Sequence, residues 1–527
     1  MSTQNPSIFN EVYGPIMVGP SSSHTAGPAR IGLMCRRMLP DEPAEIKIYF
    51  DQNGAFPTTY RGQGSDYGFI GGILGFEISD ETIKRALAIA EERAITCEFI
   101  ITDLGETRHP NFTRISIVSR SGYQLTVEAA STGGGMFVIT RYQGYPLSIT
   151  GGAHEFLILT PAPEKCAAEI RRIMDSLGLD SRMESLAGPP GAPALVNLKT
   201  DRRPEGLKEA IMAATKAEVL YLAPVLPVVK RLMSRQPFTT AAEALAYAAA
   251  QGPAEAWRLA AAYESSLSGR DTEEIIGLMG QIAEVMRQSA RRALAGGYPQ
   301  RGFLPPQAAL MQRKIEAGEA RRLDLGVLNR AMLWSLGVID YGLCQGLVVA
   351  APTGGSSGVL PGAVISVAEE LGLTDREISQ ALLTGGLVGV FIAGRATFAA
   401  EVAACQAEIG SASAMAAAAV AQLLGGSAEE CFKAAALALE NLLGLICDPV
   451  AGFGNVPCVN RNALGAANAL ISANMVLAGF DPAIPLDEVI SALMNVAGLL
   501  PADLRCTGRG GLCSTETAKR LCAAGLK

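Results

Sequence analysis

Two rhythms of apolar and polar positions run along this chain. Over roughly its first 140 residues, short runs rich in β-branched and aromatic residues, EIKIYF (45–50), CEFIIT (97–102), RISIVS (114–119) and YQLTVEAA (123–130), are separated by glycine-rich turns and a few helical segments. Alternation of this kind predicts strands, and together with the helical pieces it predicts an α+β unit over residues 1–150. A smaller pattern follows: FLILTP (156–161), a helical EKCAAEIRRIMDSLG (164–178), a polar turn and ALVNLKT (194–200). It outlines a small β-α-β domain over residues 151–203 that could sense a ligand or pair subunits. From residue 204 to 527 the apolar spacing changes to i, i+3, i+4. GLKEAIMAATKAEVLYL (206–222), TTAAEALAYAAA (239–250) and DTEEIIGLMGQIAEVMRQSARRAL (271–294) predict helices leading into an alanine-rich core, hence an all-α domain.

Two glycine-rich segments interrupt those helices, APTGGSSGVLPG (351–362) and CDPVAGFGNVPC (447–458), where exposed backbone can line a site. The uncharged stretches 409–428 and 462–480 are long enough to span a bilayer. The first is dominated by Ala, Gly and Ser and the second carries Asn462, Asn468 and Asn474, so both predict helices buried in protein rather than in lipid.

Composition narrows the classes. At 527 residues the chain exceeds one ordinary core and should hold about three domains. Hydrophobic residues make up 49% and charged residues 18%, and the net charge of -7 offers no general field for nucleic acid or anionic lipid. No nucleic-acid or membrane partner is expected. MSTQNPSIFNEVYG has neither the basic start nor the apolar run of a secretory leader, so a cytoplasmic location is expected. The eleven cysteines are scattered and odd in number, unlike a disulfide scaffold, so any that matter chemically are metal ligands or nucleophiles.

Two places carry candidate chemistry. VGPSSSHTAGP (18–28) packs Ser21, Ser22, Ser23, His24 and Thr25 between two Gly-Pro turns. Its hydroxyls and backbone N–H groups suit a carboxylate or phosphate, and its imidazole suits proton transfer near neutral pH; the plainer alternative is a polar turn capping a helix that begins near Ala29. Cys405 lies in ACQAEIGSA, and Cys447 and Cys458 bracket CDPVAGFGNVPC. Three thiolates can hold three irons of a cubane cluster and leave the fourth open, although buried cysteines often serve only as small hydrophobes. Zinc fits less well, because there is neither a CxxC pair nor a nearby histidine.

VGPSSSHTAGP, RHPN (108–111), STGGG (131–135), APTGGSSGVLPG, CQAEIGSASAMAAAA, CDPVAGFGNVPCVNRNALGAANA and TGRGGL (507–512) resemble, in that order, the iron–sulfur-dependent L-serine dehydratases. The resemblance covers most of the chain and implies β and α parts fused in one polypeptide with an ACT-like domain between them. It implies a multidomain fold in which the C-terminal all-α domain carries a 4Fe-4S cluster on Cys405, Cys447 and Cys458. It further implies a carbon–oxygen lyase acting on a small amino-acid substrate, which removes water from L-serine or a related hydroxy-amino acid and yields a 2-oxo acid and ammonia. On the matching motifs His24, Ser22 and Asp66 are candidate catalytic residues, and Ser21, Ser23, Thr25, Gln63, Ser65, Asn111, Ser131, Thr353, Ser356, Arg461 and Asn462 candidate substrate-binding residues. A homodimer is expected by analogy with ACT-bearing enzymes.

Departures from the family pattern are equally specific. Where the family carries Gly-His-Gly-Thr-Asp, this chain has GQGSD (62–66), so Gln63, which does not titrate, stands in place of a histidine. RGFLPP (301–306) and LCQGLVV (343–349) also differ. Of the tail cysteines, neither Cys513 nor Cys522 aligns with a fourth ligand. Region 238–270 adds helix with no visible chemistry. These differences keep two alternatives open: β-elimination from a thiol or larger hydroxy-amino acid, and a non-catalytic sensor that retains the cluster.

Overall fold

Alternating apolar positions in the first part of the chain form a six-stranded sheet. A computed structural model of the protein describes residues 5–105, 109–251 and 255–524; Arg108, which opens the RHPN motif, lies outside the described residues. After a short strand β1 (Ile16–Val18) come β2 (Pro43–Asp51), β3 (Thr96–Thr102), β4 (Phe112–Ser119), β5 (Gln124–Gly133), β6 (Met136–Tyr142) and β7 (Tyr145–Ile149). Strands β2 to β7 make one sheet in the order β3-β2-β4-β5-β6-β7. Only β2 and β3 run parallel. Along β4, Thr113, Ile115, Ile117 and Ser119 are buried in strict alternation.

Helices Gly27–Met38 and Ser65–Ile73 pack on this unit. Phe50 of β2 stacks on Phe56 at 4.8 Å and lies 6.1 Å from Phe69 in the second helix. The two helices touch backbone to backbone: a Cβ on Gly72 would run into the carbonyl oxygen of Ala29, and one on Gly32 into that of Phe69. A Cβ on Gly68 would stand 2.7 Å from the carbonyl oxygen of Thr25. The glycines therefore seat the 21–25 turn, which feeds directly into the first helix, against Ser65–Ile73.

A second sheet follows, with β8 (His154–Thr160), β9 (Ser181–Leu186), β10 (Ala194–Thr200) and β11 (Glu218–Leu222) in the order β11-β8-β10-β9, all antiparallel. Helices Pro163–Ser176 and Leu207–Thr215 close its own small core of Phe156, Ile158, Ile170, Val196, Leu198 and Ile211. The expectation of one helix over 206–222 is corrected here. Lys216 adopts a positive φ of 53°, which stops the helix, and EVLYL completes the sheet against β8. Val and Tyr suit a pleated surface, and β8 offers an unpaired edge, so pairing overrides the helical pattern. The sheet thus continues beyond residue 203.

The described residues after β11 are predominantly helical. At the centre lies Ser411–Leu423, buried at every position from Ser411 to Ala421 and packed by Asp375–Arg395, Ala428–Glu440 and Cys458–Leu477. Alanine side chains allow these axes to approach closely; on Asp375–Arg395 even a methyl at Gly385 would come 2.7 Å from the carbonyl oxygen of Met415. The uncharged stretch 409–428 is broken by a turn at Gly425 and Gly426 rather than forming one helix. Its neighbour carries Asn468, whose amide donates to Ser413 and to the carbonyl of Ala438. Among the described residues one helix, Asp375–Arg395, is long and apolar enough to cross a membrane, and 83% of its apolar window is buried in protein.

A two-stranded ribbon connects the two ends of this architecture. β1 pairs antiparallel with β12 (Leu347–Val349), Ile16 opposite Val349 and Val18 opposite Leu347. Gly14 N–H and Ala350 N–H extend the ladder to Ala350 O and Pro15 O at 3.1 and 3.0 Å. The 21–25 turn and the 351–358 segment leave this ribbon side by side.

Replacing Gly72 by Ala is expected to cost about 1–3 kcal/mol through overpacking of the two helices. Thermal unfolding followed by circular dichroism checks this, and an unchanged midpoint would show that the close approach is not a constraint.

Candidate active site

The 21–25 turn is held from three directions. Ser21 Oγ accepts the His24 backbone N–H at 3.1 Å, and Gly354 N–H, from the segment after β12, donates to Ser22 Oγ at 3.1 Å. Ser131 of β5 donates to Ser23 O at 2.6 Å, and Thr25 Oγ1 donates to Gln63 O at 2.6 Å. His24 is 1% exposed, and its Nδ1 lies 3.4 Å from Ser21 Oγ and 3.6 Å from Glu401 Oε1. Its Nε2 has no partner. Burial lowers the His24 pKa, with Glu401 opposing, so the ring is neutral at pH 7 with a free ring nitrogen.

Facing this turn, the helical part brings in its cysteines. Cys405 ends helix Ala400–Cys405, immediately after Ala404, whose φ of 60° and ψ of -169° belong to a region almost reserved for glycine. Cys458 begins Cys458–Leu477. Cys447 is fixed by a bridge to the tail: its N–H donates to Leu504 O, and Cys506 N–H donates to Cys447 O, both at 2.9 Å. Donor atoms of Cys405, Cys447 and Glu408 lie within 4.8 Å of one another, a possible metal site. Arg461 Nη1 approaches Cys405 Sγ at 3.5 Å while its Nη2 pairs with Asp448 at 2.9 Å. The Cys447 thiol and the guanidinium together favour thiolate at Cys405 and lower its pKa.

Between the two walls lies a cavity of about 70 Å³, lined by Ser21, Ser23, His24, Gln63, Arg301, Glu401, Glu408, Cys447, Cys458 and Cys506 among others. Arg301 Nη2 donates to Arg61 O at 3.2 Å, whereas its buried Nη1 has no acceptor. Asn455 Oδ1 is likewise buried without a partner. Burial, reinforced by Cys405, pushes the Glu408 carboxyl up to about 8. Strained non-glycine residues collect here, with positive φ at Ala404, Ala451 and Cys506.

The structure divides the candidates named from sequence. Ser21, Ser23, His24, Gln63, Cys447 and Cys458 line the cavity. Ser22, Thr25 and Ser131 spend their hydroxyls on the hydrogen bonds that shape the turn. Thr353 and Ser356 bond to each other at 3.1 Å, and Asn462 bridges Gly355 O, Cys458 O and Gly358 N–H, so these three form the scaffold beneath the cysteines. Ser65 and Asn111 are fully buried, with Ser65 Oγ and both amide atoms of Asn111 unpartnered, but neither borders the cavity. Asp66 does not border the cavity; it accepts Tyr67 N–H at 2.8 Å, and its pKa is raised by burial and held back by that bond and by the charge of Arg301.

Four residues escaped the reading of the sequence. Glu408 was inside a quoted motif, and Glu401 lies one helical turn before Cys405. Arg301 belongs to a segment noted only for being unusual. Cys506 directly precedes TGRGGL, and it is this cysteine, rather than Cys513 or Cys522, that the tail delivers to the cavity. Cys513 donates instead to Pro449 O at 3.2 Å, and Cys522 is exposed.

Comparison with known proteins bears on this arrangement. Residues 208–513 match the family model described as serine dehydratase alpha chain. A Bacillus subtilis protein named probable L-serine dehydratase, alpha chain, is 39% identical over 260 residues, covering 49% of this chain and 86% of its own length. The L-serine dehydratase alpha chain of Peptoniphilus asaccharolyticus is 42% identical over 259 residues, 47% of this chain and 85% of its own. A second Bacillus subtilis protein, named probable L-serine dehydratase, beta chain, is 36% identical over 197 residues, 37% of this chain and 87% of its own.

Metal retained after anaerobic loading with iron and sulfide is expected to fall to background in Cys447→Ser and to persist in Cys431→Ser, whose buried thiol faces Gly426 O. Metal analysis and visible absorbance read both variants; equal retention would exclude Cys447 as a ligand.

Proposed function

The chain belongs to the serine dehydratase alpha-chain family, and we propose that it acts on L-serine at the cavity between its N-terminal and helical parts. It is a lyase, converting L-serine to pyruvate and ammonia. The observation that supports this placement is the meeting of His24 with Cys447, Cys458 and the neighbouring Cys405 around one cavity.

The donor set fits a 4Fe-4S cluster on Cys405, Cys447 and Cys458. Cys447 and Cys458 face the cavity, Cys405 adjoins Cys447, and Arg461 offsets thiolate charge beside Cys405. Bound there, the cluster supplies a Lewis acid for hydroxide, a poor leaving group.

The remaining steps follow from the protein's own groups. Arg301 Nη1, buried and unspent, receives the substrate carboxylate, while Arg61 O holds the guanidinium through Nη2. Ser21 and Ser23 border the cavity and take the substrate's other polar atoms. The free Nε2 of neutral His24 accepts the α-proton, and Glu401 beside Nδ1 stabilises the imidazolium that forms. The C–H electron pair becomes the Cα=Cβ bond as the C–O bond breaks. Glu408, holding a proton at pH 7, can release it to the departing oxygen, so that water leaves. The resulting enamine tautomerises to an imine, and hydrolysis consumes one water to give the oxo acid and ammonia.

We read the β8–β11 unit as ACT-like and the assembly as a homodimer. Gln63 in the cavity wall favours a second reading, β-elimination from a thiol or larger hydroxy-amino acid. Anaerobic reconstitution followed by 2-oxo acid and ammonia assays over a panel of amino acids tests both. Iron-dependent pyruvate formation fastest from L-serine is the expected result; a faster relative would favour the second reading, and a loaded protein inert to the whole panel would overturn both.

His24→Asn is expected to lower kcat by about 10²–10⁴-fold with little change in KM. Because the His24 pKa lies below 6.5, the wild-type base is available at neutral pH and is lost only as pH falls below that value. The kcat profile should therefore drop on its acid side, and the variant should lack that limb. An acid limb retained unchanged would assign the base to another group.

A further inference from the structure

A separate cavity of about 310 Å³ lies where five parts of the chain converge. The segment before the 21–25 turn contributes Phe9, helix Gly27–Met38 contributes Leu33, and the loop after Ser65–Ile73 contributes Phe76. The connection after β11 adds Leu226, and helix Thr272–Ala295 adds Leu278 and Ile282. Against these apolar walls stand Arg30, Arg37 and Glu77.

Arg30 is only 5% exposed, yet among the described residues its Nη1 alone finds acceptors, Gly135 O at 2.8 Å and Met136 Sδ at 3.9 Å. Arg37 is likewise held through Nη1, by Ala223 O at 2.6 Å and Pro224 O at 3.1 Å. Among the described residues neither guanidinium has a carboxylate within the 4.0 Å of an ion pair, although Glu77 is near both. A buried guanidinium with unspent donors on a cavity wall is a costly arrangement unless an anion completes it.

We propose that this cavity binds a small monocarboxylate with a short aliphatic body, its carboxylate on Arg30 and its apolar end against Leu33, Phe76 and Leu278. Glu11 also acts on Arg30 but is paired with Lys230 at 2.6 Å, so the wall itself sets two guanidiniums against one carboxylate, Glu77, and matches a carboxylate head. The aliphatic walls reject a charge at the far end of the ligand. The volume is at the low end of the ~300–1,000 Å³ usual for small-molecule sites. Burial lowers the Arg30 pKa to about 10, and a bidentate carboxylate would reverse that loss. The free amino acid and its deaminated counterpart share this carboxylate and aliphatic body; the former adds an α-ammonium, for which Glu77 is the partner on the wall.

Calorimetric titration of the intact protein tests the site without reference to serine turnover. The probes are L-leucine, 4-methylpentanoate and L-leucinamide. Saturable binding of either carboxylate, with no binding of the amide, is expected, and whichever carboxylate binds identifies the source. Arg30→Met should weaken binding by about tenfold or more. Leu278→Trp, at a half-buried wall position where folding should survive, should abolish binding while the circular dichroism spectrum is kept. Amide binding as tight as the acid, unchanged affinity in Arg30→Met, binding retained in a folded Leu278→Trp, or no binding of either carboxylate to the wild type would each overturn the proposal.

Discussion

The ribbon of β1 and β12 is the constraint on which the rest depends. Three residues on each side pair residues 16–18 with 347–349, two stretches separated by most of the chain. Each strand runs straight into a chemically rich turn: SSSHT after β1 and APTGGSSG after β12. Pairing the strands therefore also sets Ser22 against Gly354. A ribbon this short gains little by itself, so it relies on the cores at both ends, where Met17, Val18, Val348 and Val349 are buried.

Those cores use small residues for the same purpose. Gly32, Gly68 and Gly72 let two helices meet backbone to backbone beneath the His24 turn. Alanines along Ser411–Leu423 let three helices close around it, placing Cys405 near Cys447 and the start of Cys458–Leu477. Close packing transmits position with little slack, which a site built from two separate units needs. Strain is tolerated in return: Ala404, Ala451 and Cys506 hold backbone angles that their neighbours impose.

Electrostatics completes the division of labour. Burial keeps His24 neutral and Glu408 protonated, two opposite settings achieved within one cavity because desolvation disfavours whichever form carries charge. Arg461 is tied at once to Cys405, Ile446 O and Asp448, and Asp448 also accepts Leu512 N–H of the tail at 2.8 Å. The TGRGGL segment is thus part of the wall that supports the cysteines.

Much of this was legible from residues alone, because the informative signals are local. Alternating β-branched runs marked β2 to β5, i, i+4 spacing marked Thr272–Ala295, and the neighbours of Cys405, Cys447 and Cys458 marked them among eleven cysteines. Where the sequence misled, a long-range partner outweighed local preference: EVLYL continues a helical pattern but meets the open edge of β8 and becomes a strand. The roles within the site were likewise undecided locally. Ser22 and Ser23 are adjacent and chemically identical, yet Ser22 anchors a backbone amide while Ser23 borders the cavity. Sequence determined the family and marked the segments that carry candidate chemistry. Tertiary structure alone decided that Arg301, Glu401 and Cys506 share a cavity with His24, because convergence of distant segments depends on packing and pairing that no local pattern records.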